Sequence, residues 1–261
     1  MTAAARVATT LDPMPAADAV GSPPREPPVS DTIGRELRTP AAAGVAGLVF
    51  AALFVLSLAL LYRQPAAGSN ADEISAWYLK KSTKTLGLVG LYLVPFAGIA
   101  FLWFVAAIRS RIGSYEDKFF ATVFMGSGIL FVGMLYAAAA AAGAPLAAVK
   151  FQGSPPPSAD VFVFARGLGY TFLYVYGIRA AAVFMIVSST IGLRTGTLPR
   201  WLVYAGYGVA LVLLFTVSYY RATVFVFPAW VTTVSVVLLV LARRERAEAA
   251  NLHAARGSLR R

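Results

Sequence analysis

The sequence has no cysteine and a single histidine, His253. The first absence excludes disulfides, thiolate nucleophiles and iron–sulfur ligation. The second leaves no imidazole set for a metal or a haem, so no cofactor is expected. Charge is scarce as well: Asp and Glu number 12 against 23 Lys and Arg, and together they make up 13% of the chain. A soluble domain carries about twice that share. What is abundant is apolar, 58% of residues, with a mean hydropathy of +0.68. These residues come in long uncharged runs, which is the pattern of a polytopic transmembrane helix bundle, an all-α fold.

Six runs are long enough to be read as spans: about 41–62, 86–108, 119–142, 168–193, 201–219 and 224–242. The first, 22 residues from Ala41 to Tyr62, makes about 33 Å of helix against a hydrocarbon core of ~30 Å. Residues 1–40 mix Ala, Pro and charge without an apolar run, so they read as a disordered tail, neither span nor signal peptide. Residues 243–261 form a polar, basic, weakly helical tail. Between the first two spans, "NADEISAWYLKKSTK" has Asn70 placed to cap a short helix, with Glu73 at capping-box spacing. Trp77 and Tyr78 then suit the headgroup level, whether this piece lies along the interface or extends the second span. Ser114, with Asp117 three residues on, caps the third span. Pro95 and Pro228 are expected to kink the second and sixth spans, Pro95 freeing the carbonyl of Leu91.

An even number of spans puts both termini on one side of the bilayer. That side carries 15 Lys and Arg, the other seven, with Arg179 apart. The excess makes the terminal side cytoplasmic. A net charge of +11 would suggest nucleic acid in a soluble protein. Here the basic residues flank apolar runs, so the expected partner is the lipid bilayer, with anionic lipids at the cytoplasmic face.

Arg179 is the residue that composition does not explain. It falls near the middle of the fourth span, where a charge costs about 2.5–3.5 kcal/mol on insertion scales, so it should face the bundle or water. Tyr176 lies one turn away and can offer a hydroxyl, and Thr190 ends the same face. No Asp or Glu lies within the six runs, so a buried carboxylate partner is lacking. Three roles are open: a pin donating to carbonyls freed at Pro95 or Pro228, a site for a lipid phosphate or acidic solute, or a side chain reaching toward an interface. Ser188, Ser189, Tyr204 and Tyr207 either line a polar path beside it or bond locally and form an interface belt. Gly126, Gly128, Gly133, the alanines 137–142, Gly206 and Gly208 read as close-packing positions.

The stretch "GIRAAAVFMIVSSTIGLRTGTLPRWLVYAGYGVAL", 177–211, resembles a segment of an uncharacterised family of bacterial multi-span integral membrane proteins. In these an arginine-bearing span is joined by an "RTG.LPRWL" turn to a glycine-containing one. The resemblance implies an integral membrane protein and supplies no activity. The runs hold no His or Lys base beside a serine, no carboxylate pair and no metal set, so catalysis is not expected. Proton-coupled transport also lacks its usual Asp, Glu or His. The expectation is a non-catalytic accessory, scaffold or lipid-binding component in the cell membrane. The alternative is a permease for a small solute or anion, with Arg179 as its lure.

Overall fold

The computed structural model describes residues 40–61, 63–66, 68–112, 118–216, 220 and 222–258. Every regular element among them is helical: α1 (Pro40–Leu61), α2 (Ala71–Leu79), α3 (Lys81–Ile112), α4 (Lys118–Phe151), α5 (Ala159–Tyr170), a π-helical segment (Thr171–Gly177), α6 (Ile178–Thr195), α7 (Arg200–Phe215) and α8 (Thr223–Ser258). Most of the N-terminal tail, the Ser114–Asp117 cap and the end of the fifth expected span at 217–219 lie outside the described residues.

Five stretches are long and apolar enough to cross a bilayer: Ala41–Leu61, Lys81–Arg109, Phe119–Phe151, Ala159–Thr195 and Thr223–Arg244. The chain therefore has the build of a multi-pass membrane protein. The fifth expected span, 201–219, corresponds to α7, whose 16 residues make about 24 Å, short of the ~30 Å core. It packs mainly on α6, to which the turn 196–199 joins it. Gly196 ends α6 with a left-handed φ of 66°, a conformation that glycine adopts without a Cβ clash.

Other boundaries move for packing reasons. The third span was expected to stop at Ala142, before Gly143 and Pro145. Instead α4 runs on through Pro145 to Phe151. Leu146, on this added turn, is fully buried with Ile74, Tyr78 and Phe162 in a small cluster of its own. That burial offsets the hydrogen bond Pro145 removes. The fourth span is longer still, a 37-residue rod over 159–195. Beyond the sixth span, α8 continues as helix to Ser258, as the Ala-, Arg- and Glu-rich composition of 242–250 favours. Helix also continues through Pro95 and Pro228 without a break.

The centre of the bundle is aromatic. Phe50 of α1, Phe101 of α3, Phe131 of α4, Phe184 of α6 and Phe227 of α8 are all at most 2% exposed. Phe101 lies 4.9 Å from Phe50, 5.2 Å from Phe131, 5.1 Å from Phe184 and 5.6 Å from Phe227, measured between ring centroids. Lipid tails are as apolar as these rings, so solvent exclusion does not bring the helices together. Interdigitation and ring–ring geometry do.

The small residues work in fewer places than their number suggests. A Cβ on Gly169 would meet the Ala138 carbonyl oxygen and the Ala142 Cβ, each at 3.0 Å. The alanine run of α4 is thus the seat for the α5 end of the long rod. By contrast Gly126 and Gly133 face open space, and Gly128 has only ordinary contacts. Likewise Gly206 fits against Ser189 and Trp230, whereas Gly208 has nothing near it.

The short helix after α1 forms as its sequence indicates. Asn70 caps α2, its side chain accepting from the Glu73 amide at 2.8 Å. It is a separate helix, not an extension of the second span: Lys80 ends it in extended backbone. Tyr78 is fully buried, its ring edge-on to that of Phe162. Its hydroxyl has no partner, and burial pushes it up from 10.0 to about 12. Trp77 donates its indole N–H to the Arg63 carbonyl at 2.9 Å, tying α2 to the end of α1.

Candidate functional site

The residues singled out in the fourth span do not converge. Arg179 is half-buried. One of its terminal nitrogens donates to the carbonyl of Val175 at 2.6 Å and to that of Tyr174 at 3.3 Å. Both acceptors belong to the π-helical turn just before it. A helix that switches from i→i+5 to i→i+4 pairing passes over a carbonyl, and the guanidinium is placed to serve that turn. The bonds of Arg179 are thus to its own helix rather than to carbonyls near Pro95 or Pro228. The carbonyl of Pro95 accepts the Tyr136 hydroxyl at 2.9 Å, and that of Pro228 accepts Thr232 Oγ1 at 2.8 Å.

Tyr176 is 54% exposed and faces away from the bundle. The widened π turn is the reason: three residues back no longer means the same face. Thr190 is 11 positions beyond Arg179, about 16 Å along a helix. Its hydroxyl bonds back to the Ile186 carbonyl at 2.9 Å and meets the Tyr207 hydroxyl at 2.8 Å, joining α6 to α7. Ser188 likewise bonds back to Phe184 at 2.6 Å, and Tyr204 is exposed. Of these residues Thr190 joins two helices, and Ser188 bonds only within its own. Ser189 Oγ and Trp230 Nε1, both beside Gly206, are buried without partners.

A different arginine occupies the more enclosed position. Arg166, which precedes the expected fourth span of 168–193, lies on α5 and is 8% exposed. One terminal nitrogen donates to the Pro65 carbonyl at 2.8 Å and the other to the Tyr170 hydroxyl at 2.7 Å. The guanidinium carbon also sits 5.0 Å from the centre of the Tyr170 ring, within cation–π range. Its Nε–H is buried with no partner, and so is the side-chain nitrogen of Gln64, itself 8% exposed. Both side chains line a cleft of about 50 Å³ between the end of α1, α3, α4 and the long rod. The rest of the lining is apolar apart from Tyr170, including Leu58, Leu61, Val94, Leu135, Ala139 and Leu173.

The sequence did hold a signal for this site. The apolar region begins at Val161, not Leu168. Read as one helix, it places Arg166 inside that helix with Tyr170 one turn on. Gln64 gave no signal, because its burial comes from helices distant in sequence.

Among the described residues no group of three or more His, Asp or Glu side chains is placed to hold a metal ion. No family model matches the chain, and neither does a curated protein or a solved structure.

Proposed function

We propose that this protein is a non-catalytic, lipid-contacting component of the cell membrane, a scaffold or accessory chain that acts through packed helices and polar contacts near their ends. The observation that supports the reading is the aromatic centre, in which Phe50, Phe101, Phe131, Phe184 and Phe227 are buried and packed ring against ring. Arg179, the residue a permease would use, is already engaged by its own backbone. The basic flanks at 109–118 and 243–246 suit an anionic cytoplasmic leaflet. With α7 completing a sixth crossing by tilt or local thinning of the bilayer, both termini are cytoplasmic.

The test is reconstitution of the full chain into vesicles loaded with chloride or a small carboxylate. The expected result is leak no faster than in empty vesicles. Arginine-dependent flux, abolished by Arg179→Leu, would replace this reading with the anion permease. Reporter fusions at each end are expected to report the cytoplasm, and one tail outside would exclude six crossings.

A further inference from the structure

We infer that the Arg166 cleft is a binding site for a single phosphate-type oxyanion. The two buried polar atoms without a partner there are both donors. Arg166 has its Nε–H unpaired, and Gln64 its amide nitrogen. Tyr170 accepts from Arg166 through its hydroxyl oxygen, so its own proton is left to give. The contacts that Arg166 does make are to a carbonyl and a phenol, neither of which cancels its charge. A guanidinium buried this far without a carboxylate is incomplete, because an unpaired buried charge costs far more than an unpaired neutral group. Three donors and one uncompensated positive charge, on side chains that line one small cleft, call for an anionic oxygen acceptor.

The size and setting narrow the occupant. About 50 Å³ holds a few non-hydrogen atoms, since one water needs roughly 10–15 Å³ by the same measure. That excludes a nucleotide or a bulky acid and fits one tetrahedral oxyanion head. Gln64 lies three residues past the end of α1, where an apolar helix leaves the hydrocarbon, so the donors sit at the level of lipid headgroups. Leu58, Leu61, Val94 and Leu135 continue the lining toward the apolar interior. A phospholipid would place its phosphate on Arg166 and its first methylenes along these side chains. A free phosphate would use the donors alone.

This site deepens the lipid-contacting reading and rests on it, but the two fail separately: solute flux overturns that reading, while absent phosphate binding overturns only the site. The full chain, purified in a neutral maltoside, would be heated with inorganic phosphate, with phosphatidylglycerol, or with neither. Phosphate-type ligand at about 100 times its Kd is expected to raise Tm by roughly 5–10 °C. A rise with phosphatidylglycerol alone identifies a lipid source, and a rise with phosphate alone a free anion. Rises with both show that the cleft takes the group from either. The control is Gln64→Glu, which supplies a carboxylate from within and leaves the Pro65 and Tyr170 contacts of Arg166 in place. It should weaken ligand binding at least tenfold without unfolding the chain. Arg166→Met should abolish the shift. If neither addition moves Tm, or if Gln64→Glu responds as the parent does, the site does not exist.

Discussion

Replacing Phe101 by alanine is the sharpest challenge to the idea that ring packing holds these helices together. Phe101 is fully buried and touches the rings of Phe50, Phe104, Phe131, Phe184 and Phe227. At about 0.5–1.5 kcal/mol per aromatic pair, five pairs give an upper range of about 2.5–7.5 kcal/mol. The pairs share neighbours and do not add in full. An estimate from cavity formation, about 3–5 kcal/mol for Phe→Ala, falls in the same range and is the value expected. The internal comparison is Phe96 on the same helix, 57% exposed. Its ring exchanges one apolar contact for another in lipid, so Phe96→Ala should cost about 0.5 kcal/mol or less. Thermal unfolding of both variants in one detergent, followed by loss of the monodisperse peak, reads the difference. Phe101→Ala should lower Tm by roughly 10 °C. Equal shifts for the two variants would refute the reasoning, because burial among rings would then carry no more weight than contact with lipid.

Three further outcomes follow from particular contacts. Arg179→Leu removes the donor to Val175 and Tyr174 and should cost about 1–3 kcal/mol, seen as a lower Tm; an unchanged Tm would show that the π turn does not need the guanidinium. Gly206→Leu should disrupt the seat against Ser189 and Trp230, whereas Gly208→Leu, with open space around it, should leave thermal stability nearly unchanged. Tyr78 keeps its proton to about 12, whereas the unfolded chain releases it near 10. The folded state therefore holds more protons in that window, and its contribution to stability, full below pH 10, is lost as pH rises toward 12. Tyr78→Phe should remove this alkaline loss and, by deleting an unpaired buried hydroxyl, be neutral or stabilising at pH 7 by about 1 kcal/mol. Denaturation of both proteins at pH 8 and pH 11 checks the sign.

Much of the fold was legible because hydropathy is a one-dimensional property. The uncharged run of 41–62 had to become a helix crossing hydrocarbon, since a backbone in lipid must satisfy its own hydrogen bonds. The α2 cap was legible for a similar reason: Asn70 and Glu73 are three residues apart, and their bond closes within one turn. The arginine site was legible only in part. Arg179 stood out in the sequence by its depth, but its partners were set by a π turn that residue periodicity does not signal. Arg166 lies ahead of the expected span at 168–193, and only the apolar residues from Val161 onward hinted that it belongs to the same helix.

The sequence alone determined the class: long runs of apolar residues, nearly free of charge, make helices that can cross a bilayer. Tertiary structure alone decided which arginine is enclosed, because burial depends on neighbours far apart in the chain. Arg166 meets Pro65 across 101 positions, and one turn further on Gly169 lets the rod lie close on Ala138 and Ala142. Local composition sets what a helix is made of, whereas the contacts between helices set which of its charges lose their water.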